Sequence, residues 1–184
     1  MDNPFLVGNK IYLSPIESKD LEFLCQTQNH PGVREALFMA LPVFLETEEE
    51  KIKQYITSKD AIVLTIVEKD TNVPVGQTAL LRIDYVSRAA VFYLAILRPE
   101  CWSKGFGTEA TQLMVDYAFD TLNLNRIQLH VYAENLLAIK IYQKVGFSRE
   151  GILRQAMYRK GAYCDFWVMG LLREEWAAEK MIHE

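Results

Sequence analysis

The hydrophobic period of this chain changes near residue 98, and that change limits the fold more than any other feature. Upstream lie three apolar, strand-like runs, residues 61–67 (AIVLTIV), 75–83 and 89–97, separated only by turns at 70–72 and 84–88. Strands joined this tightly pair as an antiparallel meander, because a parallel crossover needs a dozen or more residues. Downstream, Phe106, Ala110, Leu113, Met114 and Tyr117 recur at helical spacing, so residues 105–122 read mainly as helix, followed by a strand at 127–131. The unit 89–131 is long enough to be such a crossover. The fold class is therefore α/β (mixed α+β): one domain over residues 1–184, with a mixed sheet antiparallel at both ends and parallel in the middle, flanked by helices.

The remaining elements fit around that frame. Residues 10–13 read as a short strand, and Ser18 as the cap of a helix through about residue 26. Thr47 and Glu50 have the spacing of a capping box, which starts a second helix at 48–58. Residues 29–44, broken by Pro31 and Pro42, have no clear period. Asn135 caps a further helix whose Ala138, Ile141, Tyr142 and Val145 share one face, and Gly146 follows as a left-handed terminator. Residues 147–154 and 162–171 form a last antiparallel pair, and 173–180 a last helix.

Composition excludes several roles. With 24 acids against 20 bases the net charge is −4, unlike a chain built to neutralise nucleic-acid phosphates. No run of 18 apolar residues is present, so no membrane span is expected. The first residues lack the basic and apolar regions of a secretory signal. Three widely spaced cysteines, Cys25, Cys101 and Cys164, without a C-x-x-C pair fit free thiols in the cytoplasm. Three histidines without ligand spacing predict no metal site.

The most informative stretch is WSKGFGTEA, residues 102–110. Gly105 and Gly107 let the backbone bend and a ligand approach it. The helix that starts there leaves N–H groups without intrahelical partners, and with the helix dipole these make an anion site suited to a pyrophosphate. Lys104 adds a positive charge. Gly105, Gly107 and Ala110 also match the dinucleotide pattern G-x-G-x-x-A, with Glu134 placed for a ribose. Against an oxidoreductase, residues 98–104 separate the preceding strand from the first glycine, and three strands and two helices precede the unit.

A second motif, ENLLAIKIYQKVGF at residues 134–147, resembles the second cofactor motif of the GNAT superfamily of acetyltransferases at Asn135, Ala138, Tyr142, Gly146 and Phe147. Gly105 and Gly107 match that superfamily's first motif, Q/R-x-x-G-x-G/A, with Trp102 in place of Gln or Arg. Over nearly its whole length the chain is similar to the branch holding the RimJ/RimL ribosomal-protein acetyltransferases and the spermidine N-acetyltransferases. The resemblance implies the GNAT acyl-CoA N-acyltransferase fold, a central parallel strand pair splayed apart, and acetyl-CoA as acetyl donor. By position, the backbones of Ala95, Ile96 and Leu97 would pair with the pantetheine. Ser103, Lys104, Gly105, Phe106, Gly107 and Thr108 would hold the pyrophosphate, and Asn135 and the helix from Ala138 would close over the arm. Tyr142 would be the general acid for the departing thiolate.

Acetyl transfer to an amine needs no protein nucleophile: the amine attacks the thioester, and the enzyme aligns the pair, stabilises the oxyanion and manages protons. A backbone N–H near residues 95–97 is the candidate oxyanion donor. The strand 89–97 carries no carboxylate to serve as base, leaving Asp84, Glu100, Glu134 and His130 nearby in sequence. A peptide α-amine is roughly a tenth neutral at pH 7, whereas a lysine-like or polyamine amine is neutral in about one molecule in 2,500. A chain without a strong base therefore handles the α-amine more easily. Polyamines also need clustered carboxylates; Glu46, Glu48, Glu49 and Glu50 are the one such run, at a helix start where solvated acids are ordinary. The expected acceptor is a peptide N-terminal α-amine or small primary amine, ahead of spermidine. A non-catalytic acyl-CoA-binding module is the third reading, motivated by Trp102 and the missing base. The apolar last strand and Trp176 could serve a homodimer, although burial within one chain is the simpler account.

Overall fold

The computed structural model describes residues 1–183. Eight strands form one sheet in the order β1-β2-β3-β4-β5-β6-β8-β7. They are β1 (Leu6–Val7), β2 (Ile11–Pro15), β3 (Ile62–Glu68), β4 (Pro74–Asp84), β5 (Ala89–Ile96), β6 (Arg126–Tyr132), β7 (Ser148–Arg159) and β8 (Ala162–Leu172). Strands β2 to β5 form the antiparallel meander that their short connections require, and β5–β6 is the parallel pair. The helices are α1 (Leu21–Asn29), α2 (Pro31–Ala36), α3 (Leu45–Thr57), α4 (Phe106–Asp116), α5 (Leu136–Lys144) and α6 (Arg173–His183).

Side chains alternate across the strands, so the sheet has two apolar faces. On one, Val63, Ala79, Ala95 and Leu97 pack with Leu24, Val33 and Ile52 of α1, α2 and α3. On the other, Leu64, Leu80, Phe92 and Ile127 pack with Phe106, Met114, Ile139 and Tyr142 of α4 and α5. The β5–β6 pair joins only Ala89–Arg126, Ala90–Ile127 and Val91–Gln128. Beyond these, β5 stays with β4 as far as Gly76–Ile96, and β6 stays with β8 as far as Tyr132–Phe166. The two halves of the sheet thus diverge and open a gap in its middle.

Several boundaries differ from the sequence reading. Helix α3 starts at Leu45, three residues before the expected start. Thr47 lies inside its first turn, where the hydroxyl donates back to the Phe44 carbonyl at 2.9 Å; Glu50 takes no part in the cap. Ser18 opens a short 3₁₀ turn instead of capping α1, and the Asp20 carboxylate accepts from the Glu17 N–H at 3.0 Å. The stretch read as irregular contains α2, with Pro31 at its first position, where a missing N–H is tolerated. Helix α4 widens into a π-turn over Tyr117–Thr121, closed by Leu122 N–H to the Tyr117 carbonyl at 3.1 Å. Strand β7 runs five residues beyond the expected end, because Lys160 and Gly161 (φ 49° and 86°) make a tight turn whose twist suits a hairpin.

The expected caps of α5 hold. Asn135 Oδ1 accepts from Ala138 N–H at 3.1 Å, and Gly146 ends the helix with φ of 101°. Trp176 is buried against Phe119, and its indole N–H donates to Asp116 at 2.8 Å, so it serves this chain's own core. No helix among the described residues is long and apolar enough to cross a membrane, and no group of His, Cys, Asp or Glu there could hold a metal ion.

Candidate active site

A cavity of about 550 Å³ fills the gap between β5 and β6 and reaches both faces of the sheet. Phe106, Gly107, Thr108, Ala138, Ile141 and Tyr142 line it from α4 and α5; Ala36, Leu37 and Phe38 line it from the end of α2. A ligand entering over α4 can therefore meet a second one entering beside α2. The α2 side is fastened down from the far end of the sheet. Lys160 Nζ reaches Glu35 Oε1 at 2.6 Å, and the Arg159 guanidinium lies 4.7 Å from the Phe38 ring centre.

Of the residues expected to hold the cofactor, Ala95, Ile96, Ser103, Gly105, Phe106, Gly107, Thr108, Asn135, Ala138 and Tyr142 line this one cavity. Leu97 and Lys104 do not. Leu97 is buried in the core beside α1 and α3, and its N–H donates to the Val75 carbonyl at 2.9 Å. That bond sets the phase of β5. Backbone groups alternate in an antiparallel ladder, so Leu97, Ala95 and Tyr93 turn their polar groups to β4, and Ile96 and Leu94 turn theirs to the gap. The expectation for residues 95–97 is corrected accordingly: the backbone groups that face the gap belong to Leu94 and Ile96. The Ile96 carbonyl already accepts from the Trp102 indole N–H at 2.9 Å. Trp102, the departure from the family motif, thus ties the loop to the end of β5.

The start of α4 fits a phosphate. Gly105 has φ of 90°, which turns the chain into the helix. Glu109 is the first residue to bond back, to the Gly105 carbonyl at 3.1 Å, so the N–H groups of Phe106, Gly107 and Thr108 have no intrahelical acceptor. A Cβ on Gly107 would lie 3.2 Å from Ile141 Cδ1, so a larger residue there would push that α5 side chain aside by a few tenths of an ångström. An acid in this first turn would repel an anion, but the Glu109 carboxylate is turned away to accept from the Asn9 and Lys10 N–H groups. Lys10 Nζ donates to the Lys104 carbonyl at 3.1 Å and sits beside Gly105. This second cation comes from the start of β2, and no local motif in the sequence points to it.

Tyr142 is buried, 7% exposed, between Phe92 and Phe147. Its hydroxyl makes no hydrogen bond among the described residues. Burial pushes its pKa up, so the group keeps its proton throughout the neutral range. The four candidate bases separate. Asp84 accepts from Val86 and Ser87 N–H in a turn at the opposite end of β5. Glu100 pairs with Arg98 at 3.6 Å, and Glu134 accepts from the Tyr132 hydroxyl at 2.6 Å. Only His130 lines the cavity, which has no carboxylate in its wall. Cys101 lines it as well, but burial raises its thiol pKa, which suits packing and not nucleophilic attack.

A GNAT acetyltransferase domain matches residues 10–148. An uncharacterized N-acetyltransferase, p20, of Bacillus licheniformis is 32% identical over 178 residues, 94% of this chain and 98% of that protein. Spermidine N(1)-acetyltransferase of Escherichia coli K12 is 33% identical over 173 residues, 94% of this chain and 91% of that one. Among solved structures, spermidine N-acetyltransferase from Vibrio cholerae in complex with CoA and spermine superposes with a TM-score of 0.85 at 28% identity, covering 92% of this chain and 99% of that one. A dinucleotide oxidoreductase does not fit: the sheet holds a single parallel pair, and Glu134 is taken up by Tyr132.

Proposed function

The chain belongs to the GNAT acetyltransferases, is an acetyl-CoA-dependent N-acetyltransferase, and on that premise we propose that its acceptor is a peptide N-terminal α-amine or a small primary amine with a neutral body. Acetyl-CoA supplies the activated acetyl thioester. The N–H groups of Phe106, Gly107 and Thr108, with Lys10 beside them, would hold its pyrophosphate. The backbone N–H and carbonyl of Leu94 and the N–H of Ile96, whose carbonyl is taken by Trp102, would align the pantetheine arm, and one of these N–H groups would stabilise the oxyanion. Tyr142, kept protonated by burial, would deliver a proton to the departing thiolate, whose ordinary pKa is about 8.5. His130, or water beside it, would receive the amine's proton.

The observation that carries the acceptor assignment is the absence of any carboxylate lining the cavity among the described residues. A polyamine brings a second and third ammonium, and burying these without anionic partners is costly. An α-amine brings one charge, already partly lost at neutral pH. The competing reading, a polyamine acceptor, is favoured by the spermidine acetyltransferases to which this chain is similar. Free-thiol release from acetyl-CoA with N-terminal peptides, spermidine and arylalkyl amines tests the two. Turnover confined to spermidine refutes the α-amine reading. Acetyl-CoA binding without turnover on any amine refutes both and leaves a binding module. One domain with three free cysteines also fits a cytoplasmic enzyme.

A further inference from the structure

On the α1–α3 side of the sheet a second cavity, of about 210 Å³, lies behind Tyr93 and Leu37, two residues that also wall the first. Its polar lining comes from Gln28, Lys51, Tyr55 and Gln77. Gln77, on β4, is 5% exposed, and its Nε2 has no hydrogen-bond partner among the described residues. A buried, unpaired amide is destabilising, and an apolar residue of the same shape would relieve it. The charges at this site cancel: Lys51 Nζ lies 3.3 Å from Glu48 Oε2, and Glu48, 3% exposed, also accepts from Gln28 Nε2 at 3.3 Å. Burial pushes the Tyr93 hydroxyl up to about 12, so it too stays neutral. The cavity is thus a neutral chamber with one unsatisfied amide, opening beside the gap where acetyl transfer would occur.

We infer that this second cavity holds the body of the acceptor, and that Gln77 hydrogen-bonds a neutral amide of it, such as the peptide group that follows an N-terminal α-amine. The inference rests on the amine-acetylation reading above and narrows it. A second ammonium would find no free anionic partner there, because Glu48, the carboxylate beside the chamber, is already paired with Lys51 and Gln28. Gln77 is a specificity residue, not a catalytic one.

The test uses the full chain with Gln77→Leu and, as a closer isostere, Gln77→Met. KM and kcat are measured for an N-terminal peptide, an arylalkyl amine lacking an amide, and spermidine; peptide binding to the CoA-bound enzyme is followed by calorimetry. The expected result is a KM, or peptide Kd, roughly tenfold higher for the peptide alone, the size of one lost neutral hydrogen bond. The arylalkyl amine and acetyl-CoA affinity stay unchanged, and Tm rises because the unpaired amide has gone. Gln77→Glu should shift preference toward spermidine. Peptide turnover unaffected by either apolar variant overturns the subsite while leaving α-amine acetylation standing. An equal rise for every acceptor marks a merely structural role and overturns it as well. A wild-type enzyme that binds and acetylates spermidine but no peptide overturns both.

Discussion

Replacing Tyr142 by Phe separates catalysis from packing, because the ring and the hydroxyl have different surroundings. The ring is held edge-on by Phe92 and Phe147 at centroid distances of 6.2 and 6.0 Å, contacts that phenylalanine keeps. The hydroxyl has no partner among the described residues, so its removal leaves no other group there unsatisfied, and Tm should stay the same or rise slightly. If the hydroxyl is the acid, its loss lowers kcat by about 10²–10⁴, the usual contribution of a positioned proton donor. That corresponds to about 2.7–5.4 kcal/mol of barrier. Stopped-flow release of free thiol, with calorimetry of acetyl-CoA binding in parallel, reads both quantities. Burial raises this pKa above its ordinary 10.0, so stability from the protonated hydroxyl is intact below pH 10 and is lost only as pH climbs from there through the folded-state pKa. The wild-type kcat should therefore show no alkaline limb from Tyr142 below pH 10. An unchanged kcat in Tyr142→Phe, with binding and Tm also unchanged, refutes the acid role.

Three further outcomes follow from contacts that cross the fold. Lys10→Met should weaken acetyl-CoA binding about three- to tenfold at low ionic strength and less in high salt, since the lost contact is an exposed charge; calorimetry at two salt concentrations checks this. Glu48→Ala should destabilise the protein by about 1–3 kcal/mol in denaturant unfolding, because Gln28 loses its acceptor in the interior while half-exposed Lys51 regains water. The bidentate Arg126–Glu150 pair joins β6 to β7 across Gly170 and holds the Glu150 carboxyl below its usual range. Its contribution is present above the unfolded pKa of about 4.5 and is lost as pH falls through the lower folded value. Both groups are about a third exposed, so Glu150→Gln should lower Tm only slightly at pH 7 and by less near pH 3.

Local features of the sequence were enough for most of the frame. The change of period near residue 98, the short turns of the meander, the Asn135 cap and Gly146 terminator, and the glycines before α4 all act between residues close in the chain. Their consequences follow from backbone geometry and side-chain spacing alone. The two motifs that resemble the family's are legible for the same reason, since each is one loop and one helix start.

What the sequence could not settle depends on which way groups point and on partners far along the chain. Whether Ile96 or Leu97 faces the gap is decided by the bond from Leu97 to Val75, which sets the hydrogen-bonding phase of β5 and turns the backbone groups of Leu94 and Ile96 to the gap. Lys10 reaches the loop before α4 across 94 positions because β2 lies against α4 in the folded sheet. The Glu48 carboxylate looks like one of a solvated acidic run, yet it is buried, because α3 packs that turn onto Gln28 of α1. Gln77 reads as an ordinary strand residue, and only the closure of α1 and α3 over β4 makes its amide an unpaired group at a cavity wall. Short-range periodicity and capping are enough to place most elements and the glycine loop before α4, whereas the polarity of the cavity follows only from packing, because burial and hydrogen-bond phase are set when distant segments come together.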